Sequence, residues 1–302
     1  MDLRPFMERW HMLPPSGGVM LVAVSGGRDS VCLLHYLAAM PRDFSVAAAH
    51  LDHGQRPTAG RDVAFVEELC RELDVPLTVE RADVPALARE RGVGLEEAGR
   101  MARYDFFRRT ADRLGAQRIA TAHHAADQAE TVVLNLVRGT GMQGLAGIPP
   151  VRGRIVRPLL ETSREEIETY LEVHRLSHVE DETNRDTALR RNLLRREVMP
   201  RLAELHDGAA ANICRTAELL RQDEEVLDAA AERLLDKIEK AAGQLKQFPR
   251  MGSEVEDPYL SAKGYRKLVV DNYLLFHLID DAQKEVIVMR VIYGAREYHD
   301  LL

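Results

Sequence analysis

Three short clusters in this chain carry the residue types that do chemistry. Ser25-Gly26-Gly27-Arg28-Asp29-Ser30 follows the apolar run Val19–Val24 and opens a second one, Val31-Cys32-Leu33-Leu34, which reads as helix. Glycines that let a strand turn tightly into a helix bring backbone N–H groups and the positive end of the helix dipole onto an anion. Ser25 and Ser30 add hydroxyl donors, and Asp29 is placed for a cation or an N-cap. The Gly-Lys-Ser/Thr ending of a Walker A loop is missing. The alternative is an ordinary glycine turn. In the second cluster, His123-His124-Ala125-Ala126-Asp127-Gln128-Ala129-Glu130-Thr131, Asp127 and Glu130 are three apart and share a helical face. Both fall in a first turn, where the dipole keeps carboxylates ionised, and a carboxylate pair facing a cleft receives an ammonium group. Simple capping is the alternative. The paired histidines lack a third ligand at metal spacing, and neighbours on a strand point to opposite faces, so a zinc site is rejected. In the third cluster, His50-Leu51-Asp52-His53-Gly54, an Asp between two histidines can bind magnesium or place a ribose or base, or merely cap a strand.

Two basic segments accompany these clusters. In Glu96–Tyr104, Arg100 and Arg103 lie on one helical face, able to pair with phosphate, with the carboxylates above, or with surface acids. From Arg185 to Arg201 there are six arginines against two acids, a basic patch or a solvated helix face. Gly139-Thr140-Gly141-Met142-Gln143-Gly144 fits G-x-G-x-x-G but follows a helix rather than a strand, so it is read as a flexible loop over the site and not as a dinucleotide motif.

The elements that position these residues alternate. Strands are expected at 19–24, 45–51, 77–80, 118–122 and 155–159, with helices at 61–73, 95–114 and 127–138 between them. This is the pattern of a doubly wound parallel α/β sheet, whose ligands bind at the carboxyl ends of the strands. A further helix starts at Thr162 or Ser163. Pro200 and the small residues 207–211 suggest a joint, a long helix covers 217–245, and strand-like runs at 267–270, 273–279 and 286–292 end in a hairpin.

The chain has 302 residues, 45% apolar and 29% charged, with a net charge of −7. These values describe an ordinary globular protein of two domains, or one with an appendage. Total charge does not announce a nucleic-acid partner. No run of eighteen apolar residues appears, so no membrane partner is expected. Three scattered cysteines, Cys32, Cys70 and Cys214, argue against a disulfide framework and for a reducing cytoplasm.

Ser-Gly-Gly-x-Asp-Ser resembles the PP-loop of ATP pyrophosphatases. Together with His50–Gly54, Glu96–Tyr104, His123–Thr131, Arg138–Gly147, Arg157-Pro158 and Asp181–Pro200, it makes the chain to about residue 227 similar to the tRNA(Ile)-lysidine synthetase family. The last block contains Asn184 and Arg191-Asn192-Leu193-Leu194-Arg195. The resemblance implies an N-type ATP pyrophosphatase domain that uses ATP and magnesium. Its expected activity is to ligate free L-lysine to C2 of the wobble cytidine of a CAU-anticodon tRNA(Ile), through an adenylated tRNA. It implies that Asp127 and Glu130 bind the amine, one of them relaying its proton. Asp52 and His53 help place ATP, magnesium or the base, and Ser25, Gly26, Gly27, Arg28, Asp29 and Ser30 hold ATP. Magnesium arrives with ATP, held by Asp29 or Asp52 rather than by a protein cage. Arg100, Arg103, His123, Arg138, Arg191, Asn192 and Arg195 face tRNA or substrate. Ala126 replaces the first of two consecutive acids usual in the family, which bears on the metal and nucleotide geometry. The alternative is another PP-loop tRNA modifier, such as a thiolase, a class that commonly carries sulfur on cysteine pairs.

The tail resembles a different family. Residues 228–252 with Phe248-Pro249, and the ending with Arg296-Glu297-Tyr298, look like an incomplete RelE/ParE-type toxin without its opening strand. Its implied partner is an antitoxin-like or other protein. The expected division is residues 1–200 catalytic, 201–235 a helical linker and 236–302 a small α+β segment.

Overall fold

The structure, a computed structural model, describes residues 1–52, 59–179 and 190–294. Its elements in chain order are α1 (Arg4–Arg9), β1 (Val19–Ala23), α2 (Arg28–Ala39), β2 (Ser45–Asp52), α3 (Ala59–Glu72), β3 (Leu77–Arg81), α4 (Val84–Arg91), α5 (Leu95–Leu114), β4 (Arg118–Ala120), α6 (Ala125–Arg138), α7 (Met142–Leu145), β5 (Val151–Arg152), β6 (Ile155–Val156) and α8 (Arg164–Val173). After α9 (Arg190–Leu193) comes a π-helical turn (Leu194–Val198), then α10 (Met199–Leu205), α11 (Ala209–Gln244), β7 (Ser253–Glu254), α12 (Pro258–Ala262), β8 (Arg266–Val270), β9 (Tyr273–Asp280) and β10 (Glu285–Tyr293). The chain divides into two compact units, Met1–Arg221 and Gln222–Leu302.

The first unit is built on a sheet of order β3-β2-β1-β4-β6-β5, parallel throughout except for the antiparallel β5–β6 pair. Side chains alternate across β1. Met20 and Val22 join Leu33, Leu34 and Leu37 of α2 and Ile167 and Leu171 of α8 in one core. Leu21 faces the other way, into Phe106, Phe107 and Ala111 of α5. Both faces are thus covered, which is why the strands read as continuous apolar runs. The doubly wound parallel sheet expected from the sequence is the fold found. Between β1 and β4 the order of winding reverses, and this is the switch point at which such sheets bind ligands.

The differences are local. β4 and β6 are shorter than the apolar runs that announced them. Thr121–His124 leaves the sheet to enter α6, and the chain after Val156 turns through Arg157–Leu160. Instead of a flexible loop throughout, Met142–Leu145 closes a helical turn. The small-residue run from Ala209 onward is helical, so α11 starts eight residues before the expected position, while His206 to Gly208 separate it from α10. Residues 53–58, 180–189 and 295–302, which include His53, Asn184, Arg185 and the closing Arg296–Tyr298, lie outside the described residues.

The second unit holds the rest of α11 and an antiparallel sheet of order β10-β9-β8-β7. Leu245 packs with Leu268, Val270 and Leu275, and on the other side Phe276 packs with Val255, Leu260, Tyr265 and Ile292. The β9–β10 hairpin closes through Asp280, whose Oδ1 accepts the N–H groups of Ala282 and Gln283. A bulge at Met289 interrupts the register.

Candidate active site

The loop after β1 is tied by its own serines. Ser30 Oγ donates to Gly27 O at 2.8 Å and accepts from Ser25 N at 3.2 Å, and Ser25 Oγ accepts from Gly27 N at 3.3 Å. Gly26 sits at φ +86°, where an added Cβ would meet Val66 at 3.3 Å, so the turn requires glycine. Gly27 is the N-cap of α2 and offers no side chain to its first turn. Those N–H groups are left for an anion. From β2, His50 places Nδ1 2.8 Å from Val24 O and so fixes the end of β1. Arg28 lies against Asp29 at 3.0 Å and Glu168 of α8 at 2.7 Å.

Across the switch point, the chain leaving β4 builds the second half. His124 is the N-cap of α6, with Nδ1 accepting from Ala126 N at 3.3 Å while its own N–H donates to Asp127 Oδ2 at 3.1 Å. Asp127 is thus a capping residue whose other oxygen faces two arginines, so the capping arrangement leaves a carboxylate oxygen for a cation. Glu130 is buried on the same face.

The carboxylate pair is paired with cations. Arg195 Nε lies 2.6 Å from Glu130 Oε1 and its Nη2 3.1 Å from Asp127 Oδ1. Arg191 Nη2 meets Asp127 Oδ1 at 3.1 Å and its Nε meets Glu130 Oε2 at 3.2 Å. The π-helical turn after Leu193 brings both arginines to one place, and such turns recur at functional sites. Burial alone would raise the Asp127 carboxyl, yet His124, Arg191, His123 and the His124 N–H hold it below its ordinary value. It is therefore ionised. Burial, partly countered by Asp127 and reinforced by Arg157, Arg191 and Arg100, pushes His123 down to about 4, so this imidazole is neutral at pH 7.

The other expected residues divide. The carboxylates meet Arg191 and Arg195, while Arg100 lies over the Tyr104 ring at 4.8 Å. Arg103 and Arg138 are exposed on α5 and α6, and Asn192 is half-buried on α9. Asp52 ends β2 beside Arg81 at 3.6 Å.

Four residues outside the expected set contribute. His124 lies with Nε2 3.6 Å from Asp29 Oδ2. Gln128 fixes the 146–148 backbone through Ala146 O at 3.0 Å and Ile148 N at 2.6 Å. Arg157 is buried, donates to Pro149 O at 2.5 Å and leaves Nε without a hydrogen-bond partner. Glu168 holds Arg28. The sequence blocks His123–Thr131 and Arg157-Pro158 contained three of them without giving them a role, and Glu168 lay outside every block.

Among the described residues no three His, Cys, Asp or Glu side chains gather as a metal cage, and no helix is long and apolar enough to cross a membrane. Burial raises all three thiols, Cys32 to about 12 and Cys70 and Cys214 to about 11. They are protonated and poorly nucleophilic at neutral pH.

Known proteins match the two units differently. A family model described as ParE toxin of type II toxin-antitoxin system matches residues 204–298. Curated relatives are tRNA(Ile)-lysidine synthases. That of Geobacter sulfurreducens is 43% identical over 237 residues, 77% of this chain and 50% of the relative. That of Thermotoga maritima is 44% identical over 214 residues, 68% of this chain and 51% of the relative. The chain thus spans about half the length of the curated relatives it matches. A solved U34-tRNA thiolase from Methanococcus maripaludis with its [4Fe-4S] cluster superposes with a TM-score of 0.56 at 16% identity, covering 72% of this chain and 80% of its own, a likeness of fold. The model of the PP-loop domain matches residues 7–202, well over half of the chain, at the loop and sheet described above, and the chain belongs to that family.

Proposed function

We propose that the chain ligates free L-lysine to C2 of the wobble cytidine of a CAU-anticodon tRNA(Ile), consuming ATP and releasing AMP and pyrophosphate in the cytoplasm. One observation carries this reading: the carboxylates of Asp127 and Glu130, which hold two guanidinium groups, stand beside an uncapped phosphate cradle at a single switch point. The likeness to lysidine synthases supports this choice of substrate.

The Ser25–Ser30 loop binds the ATP phosphates through the α2 N-terminus and the serine hydroxyls. The C2 carbonyl oxygen of cytidine attacks the α-phosphorus and pyrophosphate leaves. The ε-amine of lysine then attacks C2, and AMP departs with the former carbonyl oxygen. The amine, with pKa about 10.4, arrives protonated, and its ammonium form displaces the guanidinium contacts of Arg191 and Arg195 on Asp127 and Glu130. One of these carboxylates takes a proton before attack. Asp29, at the partly open mouth of the loop, and Asp52, at the end of β2, fit magnesium, a hard cation that takes one or two carboxylates plus substrate phosphates. Bound with ATP, the metal supplies neutralisation of phosphate charge. Arg100, Arg103, Arg138, Asn192 and the released Arg191 and Arg195 face the anticodon loop, whose cytidine is reached unstacked. His123, neutral among these arginines, contacts the base.

The raised thiols weigh against sulfur transfer as the alternative chemistry. For the second unit, the toxin-family match and the exposed Ile287, Val288 and Met289 support a protein-binding role. Co-purification of a small acidic protein with the full chain, lost on Val288→Lys, tests it.

The direct test of the enzyme is pyrophosphate release from ATP with lysine, with and without a CAU-anticodon tRNA(Ile) transcript. Sustained release over many turnovers that needs both, with lysine incorporated into the tRNA, is the expected result. Release that needs no tRNA, or turnover that incorporates no lysine, would overturn the assignment.

A further inference from the structure

His124 joins the two halves of the site. It is 4% exposed and fixed at the start of α6 by two backbone hydrogen bonds, one accepted at Nδ1 and one donated by its own N–H. Because Nδ1 accepts the N–H of Ala126, the proton of the neutral ring resides on Nε2. That nitrogen lies 3.6 Å from Asp29 Oδ2 in the nucleotide loop and 3.7 Å from Asp127 Oδ2 in the amine pair. A single N–H thus stands between two carboxylates carried by different elements, one after β1 and one after β4. Arg195 also faces Asp127, and its charge reaches Asp29, but its side chain is 37% exposed and held only by contacts that a ligand can replace. The imidazole is enclosed and held by backbone.

We propose that His124 is a positioning residue whose Nε2–H couples the phosphate loop to the amine receptor, so that a ligand at one site alters affinity at the other. This rests on the reading of the two sites given above. At neither distance is a hydrogen bond closed; exchange of the guanidinium contacts on Asp127 for an ammonium ion tips the N–H toward Asp29, and a cation brought to Asp29 with the nucleotide tips it toward Asp127. The coupling is reciprocal by linkage, so ATP with magnesium and lysine change each other's affinity by one common factor, expected at about tenfold.

The test measures calorimetric binding of magnesium–ATP and of L-lysine, singly and together, to the full chain and to two variants. His124→Asn places an amide oxygen where Nδ1 accepts and so keeps the helix cap, but it cannot reach both carboxylates. His124→Gln carries an amide N–H about as far as Nε2. In His124→Asn each ligand should bind within about threefold of wild type while the common factor falls to about one, and His124→Gln should recover part of it. A structural role alone would lower the melting temperature of His124→Asn and leave the factor intact, and that result overturns the proposal. So does binding of both ligands to wild type with no coupling. Failure of the wild-type chain to bind either ligand would instead remove the site assignment itself.

Discussion

The two units spend their polar side chains differently. In the first, His50, Thr121, His124, Gln128, Glu130 and Arg157 are buried, and all but His50 lie in the segments that follow β4 and β6. Burying such groups costs free energy unless they are hydrogen-bonded, and here they are tied to the nucleotide loop, the carboxylate pair and the 146–149 backbone. In the second unit, His277 is the buried polar residue among those described, and apolar Val269, Ile287, Val288 and Met289 stand in the open. The first unit concentrates that cost around the candidate site. Both units also show exposed apolar side chains, among them Val137 and Val173 in the first and the sheet residues named above in the second.

Asp127→Asn should give the largest effect. It removes one charge from the amine receptor and should lower lysine-dependent turnover about 100-fold or more, with ATP binding retained, as read by pyrophosphate release and calorimetry. Unchanged lysine dependence would break the distinction between the two units. Phe276→Ala, at a fully buried position of β9, should destabilise the second unit by about 3–5 kcal/mol. Nucleotide affinity should survive it; chemical denaturation followed alongside ATP binding would show whether the units fail separately. Gly26→Ala should cost about 1–3 kcal/mol through its positive φ and weaken ATP binding, leaving the second unit's unfolding transition in place.

His123 sets a pH dependence belonging to the first unit. Its folded pKa of about 4 lies below the ordinary 6.5, so between these values the unfolded chain binds more protons. Stability therefore rises with pH across that window and is lost as pH falls from 6.5 toward 4. His123→Gln should flatten this slope in melts at pH 7 and pH 5. Asp127, depressed below 3.8, contributes its own loss only at lower pH. The smallest effect belongs to the exposed Lys237–Asp271 pair: Lys237→Ala should change stability by less than about 1 kcal/mol, within the error of most melts.

Much of the first unit is legible from local spacing. A glycine-serine turn between an apolar strand and a helix needs a positive φ at Gly26 and a serine that closes on Gly27, and both are found. Ser163 with Glu166 three residues on forms the capping box its sequence announces. Glu130 follows Asp127 by three residues and shares its face, so the carboxylate pair is readable too. The shortened β4 and β6 were not legible, because apolar character persists at Ala122 and Leu159 after the last strand hydrogen bond, from Thr121 N to Val156 O at 3.0 Å. Nor was the partner of the carboxylates: Arg100 and Arg103 have as good a local claim as Arg191 and Arg195.

What the sequence by itself determined is everything carried by near neighbours along the chain: the glycine-serine turn into α2, the helix caps, the doubly wound alternation, and the break in character toward the tail. Tertiary structure alone decided which charges meet. Arg191 and Arg195 reach Asp127 and Glu130 across 61 to 68 residues, and His124 reaches Asp29 because β1 and β4 are neighbours in the sheet. Periodicity fixes the face on which a side chain emerges. The packing of whole elements on a shared core fixes what that face meets.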